Sequence, residues 1–189
     1  MTGLAKQAKT LSDNQVKAML VTVESPRERA MVLLSVKAGL RAKEIASVRW
    51  SMLCDAEGML GDALALENCA SKGKHGGRTI PLHPDLRAAL AVLHEISHDG
   101  AVIRDSRGRA MTANAVAVWF HRLYASLGFQ GASSHSGRRT FITRAARKIV
   151  ECGGSLRDVQ QLAGHSSLAV TQGYIEGDTD AKRRVVAMM

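Results

Sequence analysis

Aromatic side chains are scarce in this sequence, with three phenylalanines, two tryptophans and two tyrosines among 189 residues. Its core must therefore rest on leucine, alanine, valine and methionine, and a hydrophobic content of 46% is enough to build one. Cysteine is almost as rare: Cys54, Cys69 and Cys152 are an odd set without metal-type spacing, which argues for reduced thiols in a cytoplasm. No apolar run approaches the roughly 18 residues of a membrane span. The opening "MTGLAKQAKTLSDNQ" has no apolar stretch of the kind a secretory signal needs. The length fits one domain with short extensions.

Acidic residues are missing from one long stretch. None occurs between Ser106 and Val150, where Arg107, Arg109, Arg122, Arg138, Arg139, Arg144, Arg147 and Lys148 all fall, and the chain as a whole carries a formal charge of +9. Helical surfaces usually mix signs, so a stretch of one sign points to a polyanionic partner, with double-stranded DNA the leading candidate. A membrane surface fits less well, because no basic helix here carries a broad aromatic face.

The remaining pattern is mostly helical. Ser12 can cap a helix whose Val16, Met19 and Leu20 share a face, and Ser25–Pro26 opens another that ends near Gly39. A short helix is expected over residues 42–47. From Val48 to His83, turn residues at 55–58 and 71–77 separate short extended runs, which predicts a small three-stranded antiparallel sheet. Helical spacing returns with Leu86, Leu90 and Leu93 after Pro84, and with Val116, Phe120, Leu123 and Leu127 after a Thr112–Asn114 start. Phe141, Ala145 and Ile149 mark a helix from about Ser136, and Leu156–Ala163 and Leu168–Tyr174 mark shorter ones. The expected fold is mainly α with one small sheet, an α+β arrangement.

Four local signals could carry chemistry. "AGLRAKEI" sets Arg41 just past a helix-ending glycine, where a cation beside carbonyls is also unremarkable. "ASKGKHGGRTIPL" puts Lys72 and Lys74 in a Gly-rich hairpin, although edge lysines are common. "HSGRRTFITRAARK" puts His135 and Arg138 one helical turn apart on one face. "GHSSLAVTQGYIEG" places Tyr174 nine positions after His165. Singly, each is ordinary: a buried tyrosine anchor is the commoner use of such a residue.

Together, in this order, they resemble the tyrosine recombinase (phage integrase) family. "GLRAKEI" is similar to its first arginine motif, "HSGRRTF" to its H-x-x-R motif, "LAGHSSLAVTQGY" to its Gly-His…Tyr motif and "SKGKHGGRTIPLH" to its hairpin lysine segment. The resemblance runs from about Leu11 to the C-terminus. It implies an N-terminal extension over residues 1–10 and a catalytic domain over 11–189, ending in a tail at 176–189.

It also implies roles for six residues. Tyr174 would attack a DNA phosphodiester, leaving a 3′-phosphotyrosyl link and a free 5′-hydroxyl. Arg41 and Arg138 would clamp the non-bridging oxygens, since planar guanidinium forks match that geometry. Lys72 would protonate the leaving 5′-oxygen, His135 would serve as general acid/base near the tyrosine, and His165 would donate a hydrogen bond to the phosphate. Neither metal nor ATP is expected, since the sequence has no cluster of metal-ligand spacing and no phosphate-cradling loop. The implied assembly is a homotetramer on paired DNA sites, with a monomer or weak oligomer free in solution.

Some features depart from the family pattern. The hairpin is one residue longer than usual between lysine and proline, and Lys72 is preferred over Lys74 because Gly73 follows it. Gly137 stands where family members usually carry leucine, which predicts a looser turn under Arg138. Only about ten residues precede Leu11, so either an isolated catalytic domain or a naturally minimal recombinase is expected. A type IB topoisomerase shares the arginine, lysine and tyrosine logic, but generally has lysine where His135 stands. A DNA-binding module that has lost activity is a further alternative.

Overall fold

The computed structural model describes residues 8–67, 77–174 and 186–187. Eight α-helices and one antiparallel strand pair are defined among them. In chain order they are α1 (Asp13–Thr22), α2 (Pro26–Lys37), α3 (Ala42–Ser47), β1 (Ala63–Leu66), β2 (Arg78–Pro81), α4 (Pro84–Ile96), α5 (Ala113–Ser126), α6 (Ser136–Lys148), α7 (Leu156–Ala163) and α8 (Leu168–Gln172). A single 3-10 turn, Trp50–Met52, follows α3. No described helix is long and apolar enough to cross a membrane.

Helix starts follow the caps in the sequence. Ser12 Oγ accepts the Gln15 N–H at 3.2 Å while Gln15 Oε1 accepts the Ser12 N–H at 3.0 Å, a reciprocal pair that begins α1. Ser25 accepts from the Glu28 N–H ahead of Pro26, and Thr112 accepts from the Ala115 N–H at the start of α5. Helix α2 is the centre of the molecule. Its residues from Ala30 to Val36 are all buried, and it packs on both α4 and α6. Such a helix has no polar stripe to offer solvent, which is why its periodicity is weak in the sequence.

Strands β1 and β2 pair with Leu64 opposite Ile80 and Leu66 opposite Arg78. Leu64, Leu66 and Ile80 turn to the core while Ala65 and Thr79 face out. The third expected strand is not among the described residues. The chain there forms the Trp50–Met52 turn and then a tight loop in which Asp55 Oδ1 accepts the N–H groups of Glu57 and Met59, at 3.1 and 2.8 Å. Only one bridge, Cys54 to Leu60, closes that loop. A side-chain-capped turn has used the residues a strand would need.

The core has two parts. The larger gathers the buried faces of α1 to α5 with β1 and β2; the smaller is Ile142, Val159 and Ala163, with Phe141, Ala145, Ile149, Leu156 and Tyr174 at its margin. This second cluster joins α6 to α7, so both segments carrying the later motifs pack on one another.

Candidate active site

Gly39 ends α2 with φ +66°, and a Cβ there would collide with the Phe141 ring. Glycine thus lets the α2–α3 corner sit against α6, and Arg41 follows as the residue that opens α3. Its backbone N–H donates to Glu44 Oε2 at 2.7 Å and its guanidinium to Glu44 Oε1 at 3.0 Å. A residue otherwise free to swing is held at two points, with about a third of its side chain still open to solvent.

Arg138 reaches the same region from α6. It is 2% exposed, and donates from one terminal nitrogen to the Gly39 carbonyl and from the other to the Ala163 carbonyl, each at 2.7 Å. Those oxygens lie at the C-terminal ends of α2 and α7, where the helix dipole favours a cation. Burial, together with the charges of Arg41 and Arg78, pulls its pKa down to about 10, against an upward pull from Glu44 and Tyr174. The guanidinium stays charged at neutral pH, and an incoming anion would relieve that cost.

Two residues that the sequence motifs did not single out complete this cluster. Glu44 is 1% exposed and accepts from Arg78 at 2.9 Å as well as from Arg41; Arg138 lies 3.9 Å away. Burial raises the Glu44 pKa, but the hydrogen bond and charge of Arg78, the Arg41 N–H and the Arg138 charge more than offset this, and the net direction is down. Arg78 also donates to the Leu162 carbonyl at 3.0 Å, tying β2 to the end of α7. Three guanidinium groups around one carboxylate leave an excess of positive charge. Glu44 could have been noticed as the third residue of a short helix, where a carboxylate often caps. Arg78 looked like an ordinary strand residue.

His135, Arg138, Arg139 and Tyr174 line one pocket, together with Ala8, Ala169, Val170 and Gly173. His135 precedes the first residue of α6 and is exposed. The Tyr174 ring stacks on His165, with centroids 5.3 Å apart and planes at 22°, and the Arg139 guanidinium carbon lies 5.6 Å from the centroid of the same ring. His165 is 9% exposed, and its Nδ1 lies 2.9 Å from Thr171 Oγ1. Burial, then the charges of Arg138, Arg41 and Arg78, hold its pKa down at about 4, so the ring is neutral at physiological pH. Gly164, in the left-handed conformation at φ +62°, ends α7 and lets Arg78 pass close by.

Arg41, His135, Arg138, His165 and Tyr174 thus converge from α3, α6, α7 and α8. Lys72 and Lys74 lie outside the described residues, as do Cys69 and all of the expected tail except Val186 and Ala187. Among the described residues no group of three or more His, Cys, Asp or Glu could hold a metal ion.

The turn beneath Arg138 is not loosened by Gly137. A Cβ on Gly137 would collide with Ser35 Oγ and lie 2.9 Å from Ser35 Cβ, so the glycine lets α6 pack directly on α2. The acid-free stretch is also less of a bare cationic surface than its sequence implies. Arg109 pairs with Asp105 at 2.9 Å, Arg144 pairs with Asp13 at 2.8 Å, and Arg138 is buried.

The phage integrase family model matches residues 9–180. Tyrosine recombinase XerC of Xanthomonas campestris pv. campestris (strain B100) is 32% identical over 175 residues, covering 88% of this chain and 50% of that protein. The chain spans about half the length of the curated relatives it matches. Among solved structures, the Tn1549 transposon integrase in complex with a circular intermediate DNA superposes with a TM-score of 0.76 at 17% identity, over 100% of this chain and 68% of that one. XerA recombinase does so with a TM-score of 0.74 at 21% identity, over 95% and 64%. At such identities the likeness establishes a shared fold.

Proposed function

Since this chain belongs to the phage integrase family, we propose that residues 11–189 form the catalytic domain of a site-specific DNA recombinase. It cleaves and rejoins double-stranded DNA through a 3′-phosphotyrosyl intermediate. The observation that carries this is the pocket in which Tyr174 meets His135 and Arg138 while its ring stacks on His165. A tyrosine serving only as a core anchor needs none of these neighbours.

In the proposed reaction Tyr174 Oη attacks the scissile phosphorus and loses its proton to His135. The bond from phosphorus to the 5′-oxygen breaks, and Lys72 protonates that oxygen as it leaves. Negative charge gathers on the non-bridging oxygens in between. Arg138, which still has N–H groups beyond those given to the Gly39 and Ala163 carbonyls, clamps them with Arg41. Both guanidinium groups are already held in place by Glu44 and by carbonyls, so little reorganisation is needed when the charge develops. His165, neutral and buried, adds one hydrogen bond. Attack by a new 5′-hydroxyl reverses the first step and joins a different strand.

We further propose that protomers assemble as a tetramer on two paired DNA sites, with residues 1–10 an extension to the catalytic domain. The test is a DNA duplex nicked next to the scissile phosphate, whose short leaving fragment diffuses away after cleavage. A covalent protein–DNA adduct bearing a free 5′-hydroxyl is expected. Relaxation of supercoiled plasmid without any site preference would instead favour a topoisomerase.

A further inference from the structure

Thr171 is fully buried in the last turn of α8, and no motif drew attention to it. Its Oγ1 lies 2.9 Å from His165 Nδ1. A threonine hydroxyl inside a helix usually donates to the carbonyl four residues back, as Thr140 does to Ser136 at 2.8 Å. The Thr171 hydroxyl makes no such bond, and among the described residues the imidazole nitrogen is the one hydrogen-bond partner of its Oγ1. The two atoms share one hydrogen between them, and which one donates decides the histidine tautomer.

If Nδ1–H donated to Thr171, the threonine proton would be buried with no acceptor, a costly arrangement at 0% exposure. If the hydroxyl donates, both groups are satisfied and Nδ1 has no proton of its own. The ring proton must then sit on Nε2. We propose that Thr171 is a positioning residue whose hydroxyl donates to His165 Nδ1, fixing the Nε2–H tautomer as a ready donor toward an anion in the site. This rests on the role given to His165 above. It adds the reason why that ring presents a proton rather than a lone pair.

Other contacts agree with a ring held for a purpose. The His165 backbone is clasped on both sides, its N–H donating to the Gln160 carbonyl at 3.1 Å and its carbonyl accepting from Gln160 Nε2 at 3.1 Å. One ring face stacks on Tyr174. A histidine that stays neutral at physiological pH can give a hydrogen bond from only one nitrogen, so an unspecified tautomer would leave much of the population unable to donate. Thr171 removes that ambiguity and ties it to the turn that carries the nucleophile, three residues on.

The test combines nitrogen NMR of the histidine ring with single-turnover cleavage of a nicked substrate, using full-length protein. Wild type should show the His165 proton on Nε2. Thr171→Val, which keeps the shape and removes the hydroxyl, should spread the proton over both nitrogens and slow cleavage by about 10- to 100-fold with DNA affinity nearly unchanged. Thr171→Ser should restore both the spectrum and the rate. A wild-type proton on Nδ1, or a Thr171→Val variant that cleaves at the wild-type rate, would overturn the proposal. Should Thr171→Val fail to fold, the wild-type spectrum and the serine variant decide. If wild type formed no adduct at all, the nucleophile assignment would fall, and the nitrogen spectrum alone would then judge Thr171, with Nε2–H supporting it and Nδ1–H overturning it.

Discussion

Glu44 and Arg78 form an ion pair at 2.9 Å in which the carboxylate is 1% exposed and the guanidinium 9%. The pair joins α3 to β2, and through the Leu162 carbonyl to α7, so it links the segment bearing Arg41 to the one leading into His165. Removing the Glu44 charge leaves the buried Arg78 guanidinium without its carboxylate partner.

Glu44→Gln is therefore expected to destabilise the protein by about 3–5 kcal/mol, measured as a shift of the urea unfolding midpoint at constant slope. It should also lower the cleavage rate, because the glutamine amide has one acceptor oxygen where the carboxylate had two, so Arg41 loses one of its anchors and the charge behind the other. A variant as stable as wild type would mean that the arginines do not depend on this carboxylate.

Gly137 makes a second prediction. Alanine is ordinarily the better helix residue by about 1 kcal/mol. Here its methyl group meets Ser35, and forcing the two helices apart costs about 1–3 kcal/mol. Gly137→Ala should thus be destabilising in wild type, and less so in a Ser35→Gly background. Equal effects in the two backgrounds, determined by a double-mutant cycle, would show that the contact is not tight.

His165 gives stability a pH dependence of known sign. Its folded pKa of about 4 lies below the ordinary 6.5, so the unfolded chain binds the proton more readily. Its contribution is complete above pH 6.5 and declines as pH falls toward 4, by at most about 3 kcal/mol. Glu44, also shifted downward, adds a loss only at more acidic pH, below its ordinary value of 4.5. The stability of His165→Gln should be flatter than that of wild type between pH 6.5 and 4. Parallel curves would refute the buried, neutral state of the ring.

Lys72 has its own chemical test. A substrate with sulfur in place of the leaving 5′-oxygen needs no proton to depart, so it should restore cleavage to Lys72→Ala. Lys74→Ala should cleave the ordinary substrate well and need no rescue. The reverse pattern would transfer the role to Lys74.

Much of this arrangement was legible in the sequence because it is local. Caps at Ser12, Ser25 and Thr112, Gly39 after α2, and the spacing of His135 to Arg138 depend on neighbours along the chain. The strand count was not, since a tight Asp55 turn and an extended run look alike until their hydrogen bonds are known. Glu44, Arg78 and Thr171 escaped for a different reason. Each acts across the fold, and a partner far away in sequence, or on another turn, leaves no periodic mark. Gly137 was misjudged likewise: its value lies in Ser35, on a different helix. The acid-free stretch exaggerated the cationic surface because Asp105 lies just outside it in sequence, and Asp13, far away in sequence, lies beside it in space.

The central claim is that Tyr174 bonds covalently to DNA. The most direct measurement is digestion of the trapped adduct followed by mass spectrometry of the peptide that bears the nucleotide, for wild type and Tyr174→Phe side by side. The proposed chemistry predicts a 3′-linked nucleotide on Tyr174 in wild type, and in the phenylalanine variant no adduct but nearly unchanged DNA binding. A nucleotide on any other residue, or an adduct formed by Tyr174→Phe, would contradict it.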